Sequence, residues 1–227
     1  MQLYPIFLLL LLFSIDVFCQ EDGTTSWDDN WEDIAFTEEN KYECDSLNFN
    51  LNEVQQRIQK KAEKARTYCK ENNLSQNYCI LVDMGIHSGN LRLFVYDFVK
   101  KEVIKKALVA HGCGNAYWSD DQTRAKPQFS NVPESHLSSL GKYRMGQRGV
   151  SSWGIKVNYK MHGLESTNSN AYKRIIVLHS WEKVKDEETF PIGTPEGWGC
   201  PAVSNDTMRY LDTLLKQNKN MLMWIYE

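Results

Sequence analysis

No apolar run in this chain of 227 residues reaches the roughly twenty residues that a relaxed membrane-spanning helix needs. An excess of basic charge is also missing: 26 Lys and Arg stand against 29 Asp and Glu, a formal net charge of -3. Without a broad positive field there is no sequence-independent attraction to phosphate backbones, so nucleic acid is not an expected partner. Internal repeats and the paired Cys-x-x-Cys spacing of zinc sites are absent too, so no metal and no cofactor is expected. The length suits one domain with a substantial core and leaves no room for a second catalytic one.

What is present begins with an apolar segment, Pro5 to Phe18, around the leucine run Leu8 to Leu12. It reads as a signal peptide over residues 1–19, with Val17 and Cys19 as the small residues before cleavage and Gln20 as the mature N-terminus. Acylation of Cys19, as in a lipoprotein, is the alternative; bulky Phe18 argues against it. The expected location is therefore the periplasm or the extracellular space, peripheral to a membrane at most. Residues 20–44 are dense in Asp and Glu with little periodic pattern, which predicts a flexible acidic arm. Residues 45–227 are left for the folded domain.

Five cysteines survive cleavage: Cys44, Cys69, Cys79, Cys113 and Cys200. In an oxidising compartment four can pair and one stays free, the arithmetic of a thiol enzyme, while buried free thiols are the plainer alternative. Cys69 and Cys79 are close enough in sequence to clip a helix end to the next strand. The spacing does not fix the pairing.

Val54, Ile58, Ala62 and Ala65 recur at helical spacing and predict a helix ending near Asn73. YCILVDMG, LRLFVYDF and EVIKKALVAHG, rich in β-branched and aromatic residues, predict the start of an antiparallel sheet. From Gly112 to Thr167 the composition reads as long loops, which often carry binding sites. KRIIVLHS predicts a strand that delivers His179 at its exit. TPEGWGCPAVS places Cys200 in a glycine-bracketed turn. A closing helix capped by Ser204 or Asn205, with Met208, Leu211, Leu214 and Leu215 on one face, precedes a last strand, MLMWIYE. The fold class is mainly β with flanking helices, α+β.

A thiol attacks only as thiolate, so it needs an imidazole, a dipole or a cation together with solvent access. Gly197, Gly199 and Pro201 supply the access. Backbone N–H groups around Trp198 and Gly199 can hold an oxyanion. His179, fixed by its strand and oriented by Ser180 or a carbonyl, is the candidate base. From spacing alone, a buried imidazole and half a disulfide would look the same.

His179-Ser180 followed by Trp198-Gly199-Cys200 resembles the signature of the YkuD-type L,D-transpeptidase catalytic domain. FSNVPESHLSSLGKY, MHGLESTNSNAYKRIIVLHS and GTPEGWGCPAVS are similar to its murein L,D-transpeptidase subgroup, from about Cys79 to the C-terminus. The resemblance implies a β-sandwich or barrel domain with long loops. It also implies a thioester between Cys200 and a peptidoglycan stem peptide, release of a terminal D-amino acid, and transfer to an amine or to water. The chain departs from the broader signature at Gly197 and Trp198, where a Ser and a His or Asn are usual, and at Pro201-Ala202, where an arginine-containing stretch is usual.

Among the remaining residues, His162 is a second histidine that the resemblance puts near the site. Arg174 can fork a substrate carboxylate, with a solvated or ion-paired strand-edge side chain as the plainer alternative, and Asn168, Ser169 and Asn170 offer polar partners to a peptide but read first as ordinary turn composition. Tyr143, Ser135, Ser138, Ser139 and Asn131 belong to the FSN to GKY stretch, with substrate contact or loop shaping as their alternatives. His111 and Cys113, in HGCG, read as core or disulfide positions. Two other readings stand beside the enzyme: a non-catalytic peptidoglycan-binding module of the same fold, suggested by Gly197, and a different cell-wall thiol peptidase. Papain-like peptidases place the cysteine before the histidine, the reverse of the order here.

Overall fold

The structure, a computed structural model, describes residues 51–118 and 126–227. The signal segment, the acidic arm and Cys44 lie outside the described residues. Helix α1, Leu51–Glu71, buries Val54, Ile58, Ala62, Ala65 and Cys69, the three-and-four spacing of one face. It stops at Asn73, which turns left-handed with φ 54°, and the Leu74 N–H then donates back to Cys69 O at 2.9 Å.

Eight strands follow in one sheet: β1 Tyr78–Asp83, β2 Leu93–Asp97, β3 Glu102–Ala107, β4 Gly141–Val150, β5 Val157–Gly163, β6 Val177–Ser180, β7 Ala202–Val203 and β8 Leu222–Tyr226. Their order is β3-β2-β1-β8-β4-β5-β6-β7, so the last strand of the chain lies inside the sheet, parallel to β1 and antiparallel to β4. Ile80, Val95, Met223 and Tyr143 stand in one row across four strands and face one cluster, whereas Cys79, Leu81 and Leu222 point the other way, toward α1. Alternation along each strand thus feeds two cores. Helix α2, Asn205–Gln217, begins at Ser204, whose hydroxyl accepts the Thr207 N–H at 3.0 Å. It buries Met208, Leu211 and Leu215 in the first cluster, each worth about 1.5–3 kcal/mol.

The sheet curls until its edges meet. Just past β3, Ala110 donates its N–H to Ala202 O of β7 at 2.8 Å, and Gly112 bridges Gly197. The result is a nearly closed barrel-like sheet with two helices, in agreement with the mainly β expectation.

The stretch Gly112 to Thr167, read from composition as loop, contains the long strands β4 and β5. In β4 the buried positions are Gly141, Tyr143 and Met145, alternating with Lys142, Arg144 and Gly146, so a period of two is there. Glycines on both faces and basic residues on one made it look unpatterned. The strand bearing His179 is shorter than KRIIVLHS: Ile175 is exposed and left-handed at φ 59°, and pairing with β5 starts near Val177.

One ion cluster ties α2 to the sheet. The Asp212 carboxylate accepts from Arg148 Nε at 2.7 Å, Lys216 Nζ at 2.7 Å and Tyr159 OH at 2.8 Å. Burial opposes its ionisation, but these donors outweigh burial and hold it at about 2, below the ordinary 3.8. A depressed carboxylate stabilises the fold above its unfolded value and loses that contribution as pH falls through its folded value. Asp212→Asn is therefore expected to lower unfolding free energy by about 2 kcal/mol at neutral pH, with the gap to the native protein closing as pH falls from about 4 to about 2. Denaturant titrations across that range check it; a pH-independent gap would contradict it.

Candidate active site

His179 and Cys200 meet where the barrel closes. His179 on β6 pairs in register with Ala202 on β7, and the His179 N–H donates to Pro201 O at 3.4 Å. Because Ala202 is also bonded to Ala110, the residue two positions after Cys200 is held from both sides. Both side chains line one cavity of about 300 Å³, walled by Trp118, Trp153, Trp181 and Trp198 and floored by Gly197 and Ala202.

The imidazole is oriented by backbone. His179 Nδ1 lies 2.9 Å from Ser180 O, an acceptor only, so Nδ1 carries the proton and Nε2 keeps its lone pair. Cys200 Sγ accepts the Val177 N–H at 3.4 Å and donates to Ile175 O at 3.7 Å; it makes no hydrogen bond to His179. Burial pushes the His179 pKa down, and burial pushes the Cys200 thiol above its ordinary 9.0 against the Val177 N–H and the nearby Arg174 cation. Both shifts favour the uncharged form, thiol and imidazole alike.

The turn that carries the thiol is clamped by neighbouring loops. Gly197 N donates to His111 O at 2.8 Å, Cys113 N to Gly197 O at 2.7 Å, and Ser138 Oγ to Gly199 O at 3.1 Å. Gly199 has φ 93°, and a Cβ there would lie 2.5 Å from Leu137 O, a carbonyl that Arg174 Nη2 fixes at 2.6 Å. A Cβ on Gly197 would meet nothing within 4 Å. Among the described residues the N–H groups of Trp198, Gly199 and Cys200 have no acceptor.

Residues 50–226 match the family described as the L,D-transpeptidase catalytic domain. The chain belongs to that family. The match takes in α1 as well as the region from Cys79 onward. No curated protein matches the chain. Similar solved structures include an L,D-transpeptidase from Xylanimonas cellulosilytica, at 12% identity and TM-score 0.41, covering 67% of this chain and 61% of that one. Two others are Bdellovibrio bacteriovorus Bd1075, at 16%, 0.40, 68% and 48%, and the helical cell shape determining protein Pgp2 of Campylobacter jejuni, at 12%, 0.40, 66% and 47%. The chain spans about half to three-fifths of the length of these structures.

Several polar residues singled out in this family domain from its sequence turn out to be internal. Tyr143 is fully buried, bonded to Ser139 at 2.7 Å, with its phenol pushed by burial to about 12. The Ser180 hydroxyl is buried and accepts the Ile155 N–H. Asn168 is buried in the 3₁₀ turn Ser166–Asn168, bridging Lys142 O and the Glu165 N–H, and Asn170 is bonded to the Asn131 backbone. The hydrogen bonds of these four are with the fold, and Asn170 alone among them is half-buried. The same holds for the Arg174 fork, which donates to Ser130 O, Ser135 Oγ and Leu137 O, leaving its charge rather than its fork beside Cys200. His162 stacks on Tyr172 at 5.0 Å and lines a separate basic depression with Arg144 and Lys219, not the cavity of Cys200.

The four described cysteines are free thiols, and three of them are buried. His111 belongs to a buried relay: Arg92 Nη2 donates to its Nδ1 at 2.8 Å, and its Nε2 faces Glu196 Oε1 at 3.5 Å. Glu196 was not singled out from sequence, nor were Trp118, Trp153 and Trp181. The proximity of Trp181 to His179 and the count of seven tryptophans were the available signals.

Gly199→Ala is expected to lower stability by about 1–3 kcal/mol and slow alkylation of Cys200, while Gly197→Ser stays within about 0.5 kcal/mol of the native protein. Thermal denaturation with iodoacetamide kinetics reads both, and equal effects at the two glycines would refute the clamp. In the native protein the alkylation rate should climb steadily with pH and still be rising above pH 9. A plateau reached in mildly acidic buffer would mean a preformed thiolate–imidazolium pair instead.

Proposed function

We propose that the domain transfers acyl groups from peptidoglycan stem peptides, with Cys200 as nucleophile and His179 as general base. The observation that carries this reading is the barrel closure that puts a tautomer-fixed histidine and a cysteine thiol on one cavity, in a chain of the L,D-transpeptidase catalytic-domain family.

The thiol turns from Ile175 O toward Nε2 of His179 and gives up its proton there. The thiolate adds to the carbonyl of the diaminoacyl residue, and the oxyanion takes the free N–H groups of the Trp198–Cys200 turn. Collapse breaks the peptide bond, and the terminal D-amino acid leaves with the proton from His179. An acceptor amine then attacks the thioester, loses its proton to His179 and regenerates the thiol. Water in that role gives carboxypeptidase cleavage. Arg174 and the Val177 N–H favour the thiolate once it forms. No cofactor is required. The segment 1–19 and the wall substrate together support export to the periplasm or cell exterior.

Incubation with purified tetrapeptide muropeptides, followed by intact mass and product analysis, tests this. The native protein should gain the mass of the acyl fragment with release of a terminal D-amino acid. Cys200→Ala should show neither, and His179→Ala should acylate about 10²–10⁴-fold more slowly. Peptidoglycan binding without adduct or release would favour the non-catalytic module, and internal cleavage of the stem a different thiol peptidase.

A further inference from the structure

The face of the sheet that bears Leu222 continues across β4 and β5, where Arg144 pairs with Leu222 on one side and with His162 on the other. Side chains of paired residues share a face, so Arg144 and His162 stand next to each other. Together with Lys219, from the turn before β8, they line a depression of about 460 Å³. It is distinct from the indole-walled cavity of Cys200. On β5 the partner of His179 is Asn158, and His162 lies four positions beyond it, about 14 Å along the strand.

Positive charge gathers here without counter-charge. Among the described residues no carboxylate forms an ion pair with Arg144, Lys219 or the neighbouring Lys160, whereas Arg148, which also lines the depression, is balanced by Asp212. The Arg144 side chain has one hydrogen bond, a long one to Asn220 Oδ1 at 3.4 Å. The His162 ring stacks on Tyr172 at 5.0 Å, and its Nε2 edge abuts Gly146, where a Cβ would come within 2.5 Å. Held in this way, the imidazole makes no hydrogen bond among the described residues. Burial first, then Arg144 and Lys160, lowers its pKa, so the ring lies in the uncompensated field of those cations.

These groups specify their ligand. Two permanent cations match the charge of a terminal phosphate, about -1.5 to -2 at neutral pH, while a carboxylate would balance only one. The donors come from three segments: a guanidinium fork, an ammonium and a ring nitrogen. They suit the three oxygens of a phosphate better than the two of a carboxylate. A bound dianion would also favour a proton on His162, which would add a further charged donor.

We propose that Arg144, His162 and Lys219 bind a terminal phosphate group, free or carried as a monoester. The assignment is independent of the acyl-transfer reading, and its test involves neither Cys200 nor a peptide.

Nitrogen-15 NMR of the histidine-labelled full chain, with His162 assigned by comparison with His162→Gln, is recorded during titration with inorganic phosphate at constant ionic strength. The His162 resonances should shift saturably and the ring should titrate at higher pH with phosphate present, while chloride and acetate cause neither change. This comparison needs only the native protein. Arg144→Gln and Lys219→Gln should each weaken phosphate binding about tenfold, with part of the affinity retained in Arg144→Lys. Glycerol 3-phosphate binding more tightly than inorganic phosphate would identify the ligand as a monoester, and equal affinity would identify it as the free ion. A shift that never saturates, or one that neither substitution weakens, overturns the site. So does acetate binding as well as phosphate, which would make it a carboxylate site.

Discussion

The arrangement depends on two sets of backbone hydrogen bonds that share one residue. Ala202 is bonded to Ala110 on one side and ladders with His179 on the other, so that β7, only two residues long, fastens the two edges of an eight-stranded sheet. A sheet edge must find partners for its N–H and C=O groups, and here closure provides them. The consequence is chemical as well as structural. Closing the barrel at this residue brings strand-held His179 and turn-held Cys200 onto one cavity.

Around that closure the surroundings disfavour charge on both side chains. Burial disfavours imidazolium on His179 and thiolate on Cys200 alike, and the thiol rests on a backbone carbonyl, not on the imidazole. Charge is held one layer back. Arg174 is tied to three acceptors of the loop that packs on Gly199, and the Arg92–His111–Glu196 relay lies beneath Gly197. Arg174, from the turn before β6, acts on the Cys200 thiol through its charge. On the proposed mechanism, charge held in this way favours a thiolate formed during reaction without generating one in the resting protein.

Sequence reading went furthest where signals were periodic or local. The α1 stripe, the Ser204 cap, the first three strands and the His179 and Cys200 motifs were all legible, because each is written within a few residues. It fell short where meaning depends on partners distant in the chain. Strands β4 and β5 were hidden by glycine and arginine on a face whose burial only the sheet reveals. Asn168, Asn170, Ser180 and Tyr143 have the functional groups of a binding site, but their hydrogen bonds are with the fold, and residue type alone cannot tell the two uses apart. Trp118, Trp153 and Trp181 come from three separate segments and become one wall only on closure.

The account turns on His179 being a neutral base, protonated at Nδ1 and open at Nε2. Nitrogen-15 NMR of the histidine-labelled protein, with His179 assigned by comparison with His179→Gln, measures both ring nitrogens directly. The account predicts one protonated and one unprotonated nitrogen at neutral pH, with the proton on Nδ1. A doubly protonated ring at neutral pH, or a proton on Nε2, would contradict it.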